Sequence, residues 1–103
     1  MRLPESAGVL RSMRQARLRR LRRLEAVLGG SLVRLPRHRS LYLTDKRQGT
    51  TRTLYIPLSR LEEVKRWNKN FKEAKRLLGE LSEVQRALLC GEIRARRRLR
   101  RKS

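Results

Sequence analysis

Val64, Trp67, Phe71, Ala74, Leu78, Leu81, Gln85 and Leu88 follow one another at alternating steps of three and four residues. That spacing lines them up on one side of an α-helix, as an a/d seam over roughly four heptads. A helix carrying the seam has about 30 residues and is on the order of 45 Å long. It cannot cover its own apolar side, so the rest of the chain must supply a packing layer. Leu61, Leu77 and Val84 widen the face, as packing on a sheet and on a second helix requires. Pro57 and the stretch SRLE at 59–62 mark the start, with Ser59 as N-cap and Glu62 as the N3 partner of a capping box. Gly79 weakens the helix without sitting on the seam.

The packing layers lie upstream. Between 31 and 56 the period changes to near alternation, and SLVRL, SLYLT and TTRTLYI read as three short strands. PRHR at 36–39 and DKRQG at 45–49 connect them, with Asp45 and Gly49 supplying turn chemistry. As a meander, Val33, Leu35, Leu41, Leu43, Leu54 and Ile56 share a core face. Arg34, Tyr42, Thr44, Thr51, Thr53 and Tyr55 then share the other face, which is either a packed rim or a base-stacking platform.

Further upstream, Leu10, Met13, Leu18, Leu21, Leu24 and Leu28 predict an amphipathic helix from about Val9 to Leu28, stopped by Gly29 and Gly30. The arginines threaded through it, Arg11, Arg14, Arg19, Arg22 and Arg23 among them, form a broad basic face mostly off the apolar stripe. The expected architecture is α+β: an N-terminal amphipathic helix, a small three-stranded antiparallel meander and a long C-terminal helix. It divides into a basic helix at 1–30, a meander-plus-helix domain at 31–90 and an Arg-rich extension at 91–103. The extension, with RARRRLRR, is either a helical continuation or a disordered basic tail.

Charge narrows the function. The net charge is +20, from 29 Lys and Arg against 9 acids in 103 residues. Its distribution is uneven: +6 over 1–30, +5 over 31–59, +3 over 60–90 and +6 over 91–103. The acids gather on the long helix, so the two ends read as contact surfaces. A charge run is often only a solvated face, but an excess this large on a short chain repels itself unless a polyanion neutralises it. Most of the cations are arginine, whose planar fork grips phosphate and stacks on bases.

Other classes find little support. Asp45 is the only aspartate and sits in a turn, and the glutamates are mostly at spacings that pair with lysine, as Glu73 with Lys69 and Lys72. His38 stands alone between Arg37 and Arg39. Cys90 is the one cysteine, which rules out an internal disulfide framework and reads as a small buried helix residue. Gly29-Gly30-Ser31 follows a helix and lacks the lysine of a phosphate loop. No apolar run is long enough to span a membrane. The Arg-rich start imitates an organellar transit peptide, yet the same composition continues to the C-terminus.

The stretches GSLVR, LYLT, GTTRTLYIP, LEEVKRWNKN and LLGELSEV, spread over about 30–89, resemble a small prokaryotic domain family of unknown function. That family is associated with short open reading frames and with transposase-like proteins of mobile elements. The resemblance implies a hairpin or meander followed by a long helix, with TRTLYIP and the W-x-x-N of Trp67 to Asn70 as its most distinctive pieces. Members often carry a cysteine-rich insertion between the first two strands, where this chain has only PRHR, so no metal is implied. No residue inherits a role from the family.

The expectation is a non-enzymatic, cytoplasmic accessory protein that binds nucleic acid, DNA or RNA, mainly through the phosphate backbone. Candidate contacts are Arg14, Arg17, Arg19, Arg20, Arg22, Arg23, Arg34, Arg37, Arg39, Tyr42, Arg52, Tyr55, Arg94, Arg96, Arg97, Arg98, Arg100 and Arg101. The two arginine clusters are expected to merge into one patch if the chain ends meet at one pole. No cofactor, metal or small-molecule substrate is expected. The alternative is a protein-interaction module whose long-helix seam, with Trp67 and Phe71, dimerises or docks a partner. A basic helix on an anionic membrane is a third class, but 10–28 lacks Trp or Phe on its apolar face.

Overall fold

The computed structural model describes residues 2–36 and 39–102; Arg37 and His38, singled out above, lie outside them. The element order is α1 (Ala7–Arg23), β1 (Ser31–Arg34), β2 (Leu41–Arg47), β3 (Thr50–Ile56), a 3-10 turn (Leu58–Arg60) and α2 (Leu61–Lys102). This is the α+β arrangement of one helix, a three-stranded antiparallel sheet and a long helix. Packing divides the chain into two compact units, 24–74 and 1–23 with 75–103, a division that differs from the sequence boundaries at 30 and 90 because α2 contributes to both.

In the 24–74 unit the strands pair in the order β1-β2-β3. Register sets the faces, because residues directly opposite in an antiparallel pair share one. Leu32 and Leu54 flank Leu43, and Arg34 and Ile56 flank Leu41. Val33 therefore lies with Tyr42 and Tyr55, so the expected parity of β1 is inverted: Leu32 and Arg34 take the core face, and Val33 and Leu35 do not. SLVRL holds apolar residues at both parities, and pairing with β2 chooses between them. Leu43, Ile56 and Val64 form the buried cluster, with Leu28, Leu32, Leu61 and Trp67 against it.

The β2–β3 turn is tighter than the five-residue DKRQG connection. Arg47 pairs with Thr50, leaving Gln48 and Gly49 as a two-residue turn with φ of 51° and 79°. Positive φ at both positions is the type I′ signature, whose twist matches that of the flanking strands. Asp45 becomes a strand residue. Likewise Ser59 falls inside the 3-10 turn and not at the N-cap; Pro57 takes the cap position without a side-chain hydrogen bond.

The segment 24–30 is the main departure from expectation. Its residues Leu24 to Leu28 favour helix, yet α1 stops at Arg23. Ala26 N–H donates to Leu24 C=O over 2.6 Å, a turn centred on Glu25 at φ 60°. Two asparagines of α2 then hold the extended chain. Asn68 Nδ2 donates to Leu28 and Gly30 carbonyls at 3.0 and 2.9 Å, and Asn70 Nδ2 to Leu24 and Ala26 carbonyls at 3.0 and 3.1 Å. Leu28 N–H adds a bond to Trp67 C=O at 3.0 Å. Gly29 and Gly30 serve this crossing and do not stop a helix: a Cβ on Gly29 would lie 3.0 Å from the Phe71 ring, and one on Gly30, at φ 111°, 2.7 Å from Thr44 O. Trp67 and Phe71 are thereby occupied within the unit.

The other unit is a helical hairpin. Ser6 Oγ caps α1 by accepting from Val9 N–H at 3.4 Å. Leu10 packs with Val84 and Leu88, and Leu3, Met13 and Ala87 close around them. The buried seam of α2 here runs through Leu77, Val84 and Leu88, while Leu78 is 56% exposed and Gln85 lies outside it. Leu77 and Val84, read from the sequence as flanking positions, are the central ones. The periodicity permitted either stripe, and α1 selects the one it covers.

Candidate nucleic-acid interface

The arginines of the helical hairpin divide by what they touch. On α1, Arg14 and Arg17 point toward α2. Arg14 Nη1 donates to Gln85 Oε1 at 3.0 Å. Arg17 is more deeply committed: its guanidinium binds Met13 C=O at 3.2 Å and Glu80 at 3.1 Å, with only 20% of the side chain exposed. Glu80 also accepts from Arg76 one turn earlier. Arg17 is therefore a cross-helix tie, which corrects its assignment to a contact surface. Its position follows from helical geometry, since Leu10, Arg14, Arg17 and Leu21 step along one side of α1. Arg19, Arg20, Arg22 and Arg23 are exposed on the remaining sides.

Pairing of Arg14 with Gln85 and of Arg17 with Glu80 shows that α1 runs antiparallel to α2. Moving up α1 thus means moving back along α2. The arginines at 19–23 lead toward the Lys75 end of the hairpin, and 94–101 extend the opposite way. At a rise of about 1.5 Å per residue the clusters are on the order of 30 Å apart. The single merged patch expected from sequence is not formed. Arg11 takes the place of the α1 cluster, sharing a cavity of about 360 Å³ with Arg94, Arg98, Glu5 and Glu92 over a floor that includes Leu10, Leu88 and Ala95.

The C-terminal stretch is helical to Lys102, and residues 91–101 are exposed on every side. Arg94, Arg97, Arg98 and Arg101 form one stripe at steps of three, one and three; Arg96 and Arg100 lie one turn apart on the far side. Glu92 is the only acid there.

The remaining candidates belong to the sheet unit. Arg34, Arg39 and Tyr55 line a cavity of about 240 Å³ with Leu41, Leu58 and Leu61. Arg34 is on the core side of the sheet and not beside Tyr42, as expected from the first parity. Tyr42 and Tyr55 are direct cross-strand partners, packed edge to face with centroids 5.8 Å apart and planes at 62°. Tyr42 is half-buried and Tyr55 is 53% exposed. Arg52 is engaged by Asp45 through two hydrogen bonds, Nε–Oδ1 at 3.0 Å and Nη2–Oδ2 at 2.6 Å. That bond, together with the charges of Arg52 and Arg47, holds the Asp45 carboxyl below its ordinary range.

The sequence places Arg11 on the basic face without marking it as a contact, and Lys46 and Arg47 were not singled out. The last two were placed in a loop, and the Gln-Gly pair that marks a two-residue turn was the available signal. Among the described residues no three His, Cys, Asp or Glu side chains come together as metal ligands, and no helix is long and apolar enough to cross a membrane. No protein family, no curated protein and no solved structure matches the chain.

Proposed function

We propose that this chain is a nucleic-acid-binding accessory protein of the cytoplasm, held to its partner mainly by arginine contacts to phosphate and without catalytic activity of its own. The observation that carries the reading is the end of α2: over residues 91–101 it is helical, exposed all round, and bears Arg94, Arg96, Arg97, Arg98, Arg100 and Arg101 with Glu92 as its one acid. Among the described residues Leu88 is the last buried one of α2, so no core position holds these arginines in place. Six guanidinium groups fixed on a helix repel one another and are relieved by a polyanion. Each would release condensed counterions when it meets a phosphate.

Binding of a 20-base-pair duplex, followed by anisotropy over a salt series, tests this. With about six or more phosphates neutralised, log K against log salt falls with a slope of about −5 or steeper. Deleting residues 92–103 makes the slope clearly shallower while leaving the melting temperature nearly unchanged. A slope near −1 in the intact protein overturns the reading.

A second reading has its own observation. Leu78, Leu89 and Ile93 are 56%, 52% and 43% exposed, and their spacing sets them on one side of α2, away from the stripe covered by α1. That side takes in Leu78 of the seam expected from sequence, and it is what a protein partner would cover. Sedimentation of the protein free of nucleic acid separates the two, because the interaction reading requires a dimer or a captured partner that the Leu89→Arg variant loses.

A further inference from the structure

The sheet does not end where its third strand ends. β1 pairs with β2 only over Leu41–Thr44, whereas β2 and β3 continue for three more pairs, Asp45 with Arg52, Lys46 with Thr51 and Arg47 with Thr50. Beyond β1 the sheet is a two-stranded arm about 10 Å long plus its turn. Residues 46–53 are all exposed. A bare two-stranded ribbon is marginal in water, and two features counter that here. The type I′ turn at Gln48-Gly49 fits the strand twist without a loop. At the root, Asp45 and Arg52 are clamped across the strands by two hydrogen bonds. The clamp neutralises Arg52; Lys46 and Arg47 stay exposed at the rim of a cavity shared with Val27, Gly30 and Phe71, and neither forms a salt bridge among the described residues.

We propose that this arm enters the major groove of B-form duplex DNA. The inference rests on the nucleic-acid reading above and names its substrate. Three properties of the arm carry it. Strands about 4.8 Å apart, with side chains on both faces, make a ribbon that fits a major groove about 12 Å wide and 8.5 Å deep. Lys46 and Arg47 are adjacent in a strand, so they point from opposite faces; inserted tip first, the ribbon offers one cation to each phosphate wall. The tip itself is Gln48 and Gly49, an amide that can read base edges beside a residue with no side chain to obstruct approach. A-form RNA has a major groove too deep and narrow for such a ribbon, so the arm discriminates between the two duplexes.

The test compares a DNA and an RNA duplex of the same sequence, using the full chain and the Lys46→Gln/Arg47→Gln variant. Both substitutions are exposed, and an unchanged melting curve confirms that the variant folds. The wild type should bind the DNA duplex about tenfold more tightly. In the variant that preference should disappear, and the DNA salt slope should become shallower by about 2, one step of roughly 0.9 for each lost phosphate. Guanine N7, which lies in the major groove, should be protected from methylation by the wild type and not by the variant. Equal binding of both duplexes by both proteins overturns the arm as a contact and leaves the nucleic-acid reading standing. A loss of affinity without N7 protection overturns the groove assignment. Failure of the wild type to bind either duplex overturns the nucleic-acid reading and this inference with it.

Discussion

At the scale of single residues, polar side chains decide features that apolar periodicity leaves open. Asn68 is 7% exposed on α2, next to Trp67 of the seam, and its amide is what keeps the Leu28 and Gly30 carbonyls satisfied. An asparagine in a helix interior has a poor intrinsic propensity, so its presence twice within three residues, at 68 and 70, was a legible sign of a second task. What it bonded to was not legible, because both partners are backbone carbonyls some forty residues earlier. Replacing Asn68 with Ala strands two carbonyls in a place with little water. The expected loss is about 2 to 3 kcal/mol, seen as a lower urea midpoint with unchanged slope. Asn70→Ala should cost less, since it is half-buried and water can reach its partner Ala26. Arg17 teaches the same lesson. Composition does not set it apart from its arginine neighbours, and only the carboxylate of Glu80 across the hairpin distinguishes it.

At the scale of elements, α2 and the meander were legible because each repeats a period over many residues, and Pro57 separates them. Their edges were not. Leu24 to Leu28 has the residues of a helix, and the tertiary bonds from Asn68 and Asn70 override that preference. β1 is only four residues long, and with apolar side chains at the adjacent positions Leu32 and Val33 it could not fix its own parity. The same dependence on neighbours makes α1 vulnerable. Leu10, at 2% exposure, is its only buried residue, and the helix otherwise holds to α2 through Arg14, Arg17 and half-buried side chains. Leu10→Ala should therefore cost about 2 to 5 kcal/mol. Hydrogen exchange reads it: amides of α1 should lose their protection in the variant. Retained protection would mean that the arginine ties alone suffice to dock the helix.

At the scale of the molecule, the sequence makes the sign and size of the charge plain but not how folding distributes it. The count of arginines treats Arg17 and Arg52 as equal to Arg98, although the fold pairs the first two with Glu80 and Asp45. It also cannot tell whether two clusters join. The antiparallel course of α1 along α2 sends 19–23 and 94–101 toward opposite ends of the hairpin, on the order of 30 Å apart. That distance is several Debye lengths at physiological salt, so the charge of one cluster is screened from the other. Substitutions at sites this far apart are expected to add. Changing Arg19, Arg22 and Arg23 to Gln should make the salt slope on duplex DNA shallower by up to about 3, and deleting 92–103 should reduce it by a separate amount. The combined variant should show the sum of the two changes in slope and in log K, within about 0.5 kcal/mol. Titrations of the four proteins over one salt series check this. A combined effect no larger than either alone would mean that both clusters grip the same phosphates, which this hairpin geometry does not allow.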